Sequence, residues 1–185
     1  MSVEFVIGSI LLLTVMAGGI DLYRIIDARS IGSRAANTMA DYISLETAPT
    51  GAHLDDLAKF SYQNEITVPS QAAFVVSAIE RPRTKGASPV VQWNRKIVVG
   101  PDSPPPPAAL ADTCGRIGSS RGPTTLPTEF AIEPGELVLV VEVCVKLLPQ
   151  AFVSGGILPD GVFPSLVYQH RIVPVRGHLL PAEPS

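Results

Sequence analysis

Charged residues are scarce in this sequence, and basic residues are not in excess. Lys and Arg together number 14 against 17 Asp and Glu, so the formal net charge is −3, and charged residues make up only 17% of the chain. Nucleic-acid binding needs a surplus of positive charge to neutralise phosphates. The composition therefore argues against nucleic acid as a partner. The low charge also predicts that some apolar surface faces lipid or another protein.

Cysteine is nearly absent as well. The two cysteines, Cys114 and Cys144, form neither a CxxC motif nor a four-ligand metal site. If they lie outside the cytoplasm, we expect a disulfide between them. It would close a loop of roughly 30 residues and stabilise the fold by about 3–4 kcal/mol. The alternative is two unpaired buried thiols.

Recognisable catalytic patterns are missing too. The three histidines have no metal-binding spacing, and Glu80, Glu133 and Glu142 are not a recognisable catalytic pair. His53 is followed closely by two aspartates, which could suggest a metal site, but the solvated start of a helix is the simpler interpretation. No glycine-rich phosphate loop is present. We therefore predict no enzyme activity, no catalytic residue, no metal and no cofactor.

The sequence does contain one long uncharged run near its start. Residues 5–20 read FVIGSILLLTVMAGGI, and as a helix this run would be about 24 Å long, against a hydrocarbon core of about 30 Å. Adding Val3 and Leu22 brings it close to spanning length. A secretory signal peptide, a buried core helix and an ordinary signal anchor are the alternatives. For a signal peptide, the preceding Lys or Arg and a good Ala-x-Ala cleavage site are missing.

Helical periodicity continues beyond the apolar run. Apolar residues three or four positions apart trace one stripe: Ala28, Ile31, Ala35, Met39 and Tyr42. A single helix over residues 3–45 is expected to end at the segment TAPTG, residues 47–51. We therefore predict a transmembrane or assembly helix in 1–22, an amphipathic helical spine in 23–46 and a β-rich head in 47–185.

The first basic residues, Arg24, Arg29 and Arg34, all follow the apolar run. The positive-inside rule would place them in the cytoplasm. That conflict disappears if a basic leader has been cleaved or is missing from this chain. Asp21 and Arg24 are three residues apart, and we expect them to form an ion pair on the helix surface worth a few tenths of a kcal/mol.

The remaining sequence predicts a small antiparallel sheet. A short helix is expected at 52–61, and strands are expected at 72–80, 89–99, 136–148 and 163–173. Residues 100–128, rich in Pro and Gly, are expected to form a loop. Alternation in the second strand predicts one shared face: Val91, Trp93, Arg95, Ile97 and Val99. Strands close in sequence favour a meander packed on the helix, so the predicted fold class is α+β.

The N-terminal residues resemble a known family. Glu4-Phe5 opens the apolar run, Asp21-Leu22-Tyr23-Arg24 closes it, and SRAANTMADYIS continues the helix. This pattern resembles the TadE-like family, minor pseudopilins of the tight-adherence (Tad) pilus that are related to type IV pilins. Residues 91–95 (VQWNR) resemble that family's Trp-containing strand, and residues 136–149 resemble its last long strand.

The resemblance implies a precursor processed at the bacterial inner membrane by an aspartic prepilin peptidase. The mature helix would then pack against other pilin or pseudopilin subunits. The head would lie in the periplasm first and later in a pilus at the cell surface. The family places its Glu near the fifth mature residue, after a basic leader that ends in Gly. This chain begins Met1-Ser2-Val3-Glu4, so we expect its leader to be missing.

Glu4, Phe5 and Gly8 are the candidate assembly residues. A carboxylate at the edge of a bilayer is costly unless it is paired. In a bundle of such helices, Glu4 could pair with the free N-terminal amine of a neighbour and set the axial register. The alternative is a glutamate that simply lies among the headgroups. Gly8 would permit close helix approach, although a lipid-facing position is as plausible.

Together these observations predict a structural minor pilin or pseudopilin that primes, caps or supports a Tad-type pilus for adhesion or secretion. Two alternatives stay open. One is a single-span periplasmic protein unrelated to pili. The other is a secreted hydrolase or binding protein behind a signal peptide, released by cleavage near residues 17–19.

Overall fold

The computed structural model describes residues 3–45, 50–66, 71–84, 86–100, 110, 114, 122–123, 132–146 and 166–175. A long N-terminal helix packs on an antiparallel sheet, so the fold is the α+β arrangement predicted from the sequence. The elements in chain order are α1 (Val3–Ser44), α2 (Gly51–Glu65), β1 (Ala72–Glu80), β2 (Val90–Val99), β3 (Gly122–Pro123), β4 (Leu137–Lys146) and β5 (Leu166–Pro174).

The predicted elements are present with small changes at their ends. Helix α2 continues to Glu65, four residues beyond its predicted end, and β5 continues to Pro174, one residue beyond its predicted end. The predicted loop 100–128 contains the two-residue strand β3. Within that loop the described residues are Gly100, Leu110, Cys114 and those of β3. The predicted strand residues 147–148 and 163–165 lie outside the described part of the chain.

The second half of α1 supplies one side of the main hydrophobic core. Its buried apolar residues recur at helical spacing: Ile25, Ala28, Ile31, Ala35, Ala36, Met39, Ala40 and Ile43. Full burial of a side chain such as Met39 or Ile43 contributes about 1.5–3 kcal/mol. The prediction that Tyr42 belongs to this stripe is wrong, since Tyr42 is 44% exposed. Its ring instead packs edge-on against Phe60 of α2, with the ring centroids 5.5 Å apart.

The strand order is β3-β2-β1-β4-β5, with every neighbouring pair antiparallel. The predicted meander is therefore wrong, because β1 pairs with β4 as well as with β2. The reason lies in the composition of the strands. Strand β1 is buried on both faces from Ala72 to Ile79, so it takes a central position. Strand β2 carries Asn94, Arg95 and Lys96 and lies near the edge.

The sheet has two buried faces. The face towards the helices, here called the helix face, carries Phe74, Trp93 and Val143 within the main core. The opposite face, here called the outer face, packs Val138, Val140 and Ile132 in one cluster, and Leu110, Cys114 and Cys144 in another. The connection from β2 to β4 has to cross the intervening strand β1. Leu110 and Cys114 belong to this connection, and they cover the outer face.

A β-bulge changes the predicted face of Val91. Ala78 pairs with Trp93, but Ile79 pairs with Val91, so Gln92 is the extra residue in β2. Val91 therefore joins the outer face with Ile79, whereas the alternation predicted it on the same face as Trp93. The amide of Gln92 donates to Oε2 of Glu80 at 2.8 Å.

Helix α2 is fixed against both α1 and β2. Arg95 donates from Nε and Nη2 to the two carboxylate oxygens of Asp55, at 3.2 and 2.7 Å. This hydrogen bond to Asp55 raises the pKa of Arg95 above its ordinary value. On the other side, Nε of Arg34 donates to Oε2 of Glu65 at 3.0 Å. The N-terminal end of α2 is capped by Thr50, whose Oγ1 accepts from the backbone N–H of His53 at 3.3 Å.

The position of Gly32 shows beyond which end of the sheet the first half of α1 projects. A Cβ at Gly32 would lie 3.2 Å from Cγ of Gln169 and 3.6 Å from Cγ2 of Val145, near the ends of β4 and β5 where Lys146 pairs with Leu166. Residues 35–43 of α1 pack over the sheet. The first half of α1 therefore projects beyond the end that contains Lys146 and Leu166, and we call this end the proximal end of the head.

Candidate functional site

The first half of α1 projects without cover from the described part of the head. Its apolar side chains are exposed on every side of the helix: Phe5, Val6, Ile7, Ile10, Leu11, Leu12, Leu13, Val15, Met16 and Ile20. Such a surface in water would be costly, at roughly 25 cal/mol per Å² of apolar area. Helix α1 is long and apolar enough to span a membrane. We therefore take this half as the candidate functional site.

The polar side chains of this half are hydrogen-bonded within the helix. Oγ of Ser9 donates to the carbonyl oxygen of Phe5, and Oγ1 of Thr14 donates to that of Ile10, each at 2.8 Å. A hydroxyl without a partner costs several kcal/mol in hydrocarbon, whereas a hydroxyl bonded back to the i−4 carbonyl does not. Ser9 and Thr14 are therefore compatible with a lipid environment.

The predicted assembly residues share one stretch of this helix. Glu4, Phe5 and Gly8 all lie within α1, and Glu4 and Gly8 are one turn apart on the same face. The side chain of Glu4 lies outside what the structure describes. Phe5 is 67% exposed, and a Cβ at Gly8 would meet no atom within 4 Å. The surface around Gly8 is therefore open to another helix or to lipid.

The charged pair at the end of the apolar run is more buried than predicted. Nη1 of Arg24 lies 3.7 Å from Oδ1 of Asp21, so the ion pair is present. Asp21 is 0% exposed, however, whereas the sequence suggested a pair on the helix surface. Its face of α1 continues with Ile25 and Ala28, which are also buried. This side of the helix is therefore buried from Asp21 to Ala28.

The two cysteines are joined as predicted. The Sγ–Sγ distance between Cys114 and Cys144 is 2.06 Å and their Cα atoms are 5.7 Å apart. The bond lies on the outer face beside Ala73 and Val75 of β1. It ties the connection between β2 and β4 to the middle of the sheet. Disulfides form and persist in oxidising compartments, which favours a head outside the cytoplasm.

Two of the three glutamates that form no recognisable catalytic pair in the sequence, Glu80 and Glu142, also lie far apart in the structure. Glu80 pairs with Leu137, while Glu142 pairs with Val75 five residues along β1, so the two lie about 17 Å apart along the strand. They also point to opposite faces of the sheet. Among the described residues, no group of three or more His, Cys, Asp or Glu side chains is placed to hold a metal ion.

Sequence reasoning missed one polar cluster on the outer face. Glu142 is fully buried, and its Oε1 accepts a hydrogen bond from the Tyr168 hydroxyl at 2.8 Å. His170 pairs with Glu142 across the strands, and its ring lies 5.8 Å from that of Tyr168. The available signal was a glutamate within the apolar strand VLVVEVCV, which requires a polar partner when buried. The Tyr168 bond joins the outer faces of β4 and β5.

Tyr62 of α2 is the other titratable group with an altered environment. Partial burial beside the main core raises the pKa of its phenol. The position of Tyr62 against the main core accounts for this burial.

Comparison with known protein families, curated proteins and solved structures finds no match to this chain. The resemblance to TadE-like pseudopilins therefore rests on the sequence segments named above, at the N-terminus and in residues 91–95 and 136–149. The arrangement of α1 and the sheet is independent of that resemblance.

Proposed function

We propose that this chain is a structural, membrane-anchored subunit of the pilin type, and that it primes, caps or supports a Tad-type pilus in adhesion or secretion. The observation that carries the proposal is the division of α1. One continuous helix has a first half with apolar side chains exposed all round and a second half that forms the core of a β-rich head. The sequence pattern from Glu4 to Arg24 supports the same assignment.

In this proposal the first half of α1 has two successive environments. Before assembly, lipid of the bacterial inner membrane covers the exposed apolar side chains. After a prepilin peptidase has processed the native precursor, the same surface packs against the helices of other pilin or pseudopilin subunits, and the head moves from the periplasm to the pilus at the cell surface. Gly8 allows close approach, and Glu4 pairs with the N-terminal amine of a neighbouring helix.

The contribution of the head is structural rather than catalytic. The sheet is covered on the helix face by both helices and on the outer face by a disulfide-linked connection. A head stabilised in this way suits a subunit that works outside the cytoplasm, where disulfides form and persist. Its size, larger than a minimal shaft subunit needs, favours a minor subunit.

Photocrosslinking in native cells tests the proposal. A photoreactive amino acid at position 12 should form adducts with other polypeptides, because Leu12 lies on the exposed apolar surface. The same group at position 63, on the exposed side of α2, serves as the control. A chain that crosslinks to lipid alone and remains monomeric would instead be a single-span protein unrelated to pili.

Two further measurements address the alternatives. Mass spectrometry of protein from native membranes should find a mature N-terminus just ahead of Glu4. A soluble product that starts after Gly18 or Gly19 would indicate a signal peptide and a secreted protein. The Glu4→Ala variant should lose assembly, whereas Ser9→Ala should not, because the Ser9 hydroxyl bonds within its own helix. Normal assembly of Glu4→Ala would remove the main support for the proposal.

A further inference from the structure

The exposed apolar surface of α1 does not stop at Asp21. On the side of the helix away from the head, Leu22 is 53% exposed, Tyr23 68% and Ile26 57%. These three residues lie within one turn and share a face. The opposite face holds Asp21, Ile25 and Ala28, all buried. The lipid-compatible surface therefore continues past Asp21 towards the proximal end of the head.

We infer that the head rests directly on the bilayer, with Leu22, Tyr23 and Ile26 in contact with phospholipid rather than with water. This inference rests on the proposed membrane anchoring and adds the position of the head relative to the membrane surface. The partner of the exposed face formed by Leu22, Tyr23 and Ile26 is therefore lipid.

The length of the apolar surface supports this position. The uncharged run from Phe5 to Ile20 covers about 24 Å, which is short of a hydrocarbon core of about 30 Å. Extending the surface to Ile26 gives about 33 Å, enough to span that core with slight tilt. The exposed face beside the head therefore supplies the missing length.

The charges around this surface fit the same boundary. Asp21 is the one charged residue in the sequence between Phe5 and Tyr23, and its side chain is fully buried. A carboxylate facing lipid would cost several kcal/mol, so its burial removes the obstacle to inserting this turn. Tyr23 is typical of the membrane interface. Arg24 is paired with Asp21, and the exposed Arg29 can extend its charged group towards the phosphates.

Tryptophan quenching by brominated phospholipid tests the inference on the full chain in proteoliposomes. We would compare the variants Tyr23→Trp and Ile26→Trp with Leu12→Trp in the middle of the apolar run and Asn37→Trp on the exposed side of the head. The native Trp93 is buried in the core, so its signal is measured in the parent protein and subtracted. All four substituted positions are exposed or face lipid, so the fold should be retained.

We expect a strong loss of emission for Leu12→Trp. Tyr23→Trp and Ile26→Trp should show a comparable loss when the bromine is placed near the headgroup. Asn37→Trp should show no loss. Quenching of Leu12→Trp without quenching at positions 23 and 26 would overturn the inference while leaving the anchoring intact. In that case, blue-shifted emission would indicate coverage by a second copy, and red-shifted emission quenched by iodide would indicate water. Absence of quenching in Leu12→Trp would refute both the anchoring and the inference.

Discussion

Replacing Gly32 should show whether α1 approaches the sheet as closely as the structure indicates. A Cβ at this position would lie 3.2 Å from Cγ of Gln169, which is tighter than ordinary van der Waals contact. Ala in place of Gly favours a helix by about 1 kcal/mol, and the Gln169 side chain can shift by a few tenths of an ångström. We therefore expect Gly32→Ala to be neutral or stabilising by less than about 1 kcal/mol.

A larger side chain at the same position has no such room. The added atoms of Gly32→Leu would meet Val145 and Gln169 together and force the helix away from the sheet. Overpacking of this kind costs about 1–3 kcal/mol, so after a gain of about 1 kcal/mol in helix propensity the variant should lose up to about 2 kcal/mol. The free energy of unfolding can be measured in detergent micelles by urea titration of the fluorescence of Trp93, the single tryptophan and 2% exposed.

Asn37→Leu provides the matched control, since it adds a leucine to the exposed side of the same helix. That variant should change the free energy of unfolding by less than about 0.5 kcal/mol. If Gly32→Leu proves as stable as Gly32→Ala, then α1 does not lie against β4 and β5 in this register. The assignment of the proximal end of the head would then fail as well.

Three other predictions concern the head. Reducing the disulfide should lower the free energy of unfolding of the head by about 3–4 kcal/mol, measured as the shift in urea midpoint with and without reductant. An unchanged midpoint with both thiols alkylated would contradict this. A double-mutant cycle on Arg95 and Asp55 should give a coupling free energy of about 1 kcal/mol, because both side chains are partly exposed. The exposed pair of Lys59 and Asp56 should give less than about 0.5 kcal/mol. Equal coupling free energies for the two pairs would refute this difference. Tyr168→Phe should cost about 1.5–3 kcal/mol in thermal or urea unfolding because it removes the donor to the buried carboxylate of β4, and a neutral effect would show that this bond is not stabilising.

The sequence was sufficient to locate the helices and strands, but it was not sufficient to predict which strands pair. Alternation of apolar residues located β2, because a half-buried strand repeats every two residues, and the content of β-forming residues located β1. The order of the strands depends instead on which strand is apolar on both faces, and β1 could have been recognised as central from AAFVVSAI alone. The bulge at Gln92 was not predictable, because nothing in its local pattern marks an extra residue.

Predictions about α1 were wrong at positions whose burial depends on another part of the fold. The apolar stripe was extended to Tyr42, but Ile43 occupies that core position and Tyr42 faces α2. Helical spacing allows both, and only the placement of α2 decides between them. The burial of Asp21 was missed for a similar reason. A charged residue at the end of an apolar run suggests exposure unless the neighbouring domain is known to cover it.

The continuity of α1 has a mechanical consequence. The helix runs for 42 residues, about 63 Å, without a proline, so its exposed apolar half and the spine of the head form one rod. A pull along its axis would load the contacts of Ile31, Met39 and Ile43 in shear, all at the same time, rather than peeling them apart one after another. Extracting the helix would therefore amount to unfolding the head, and any tilt of the rod in its surroundings would tilt the head by the same angle.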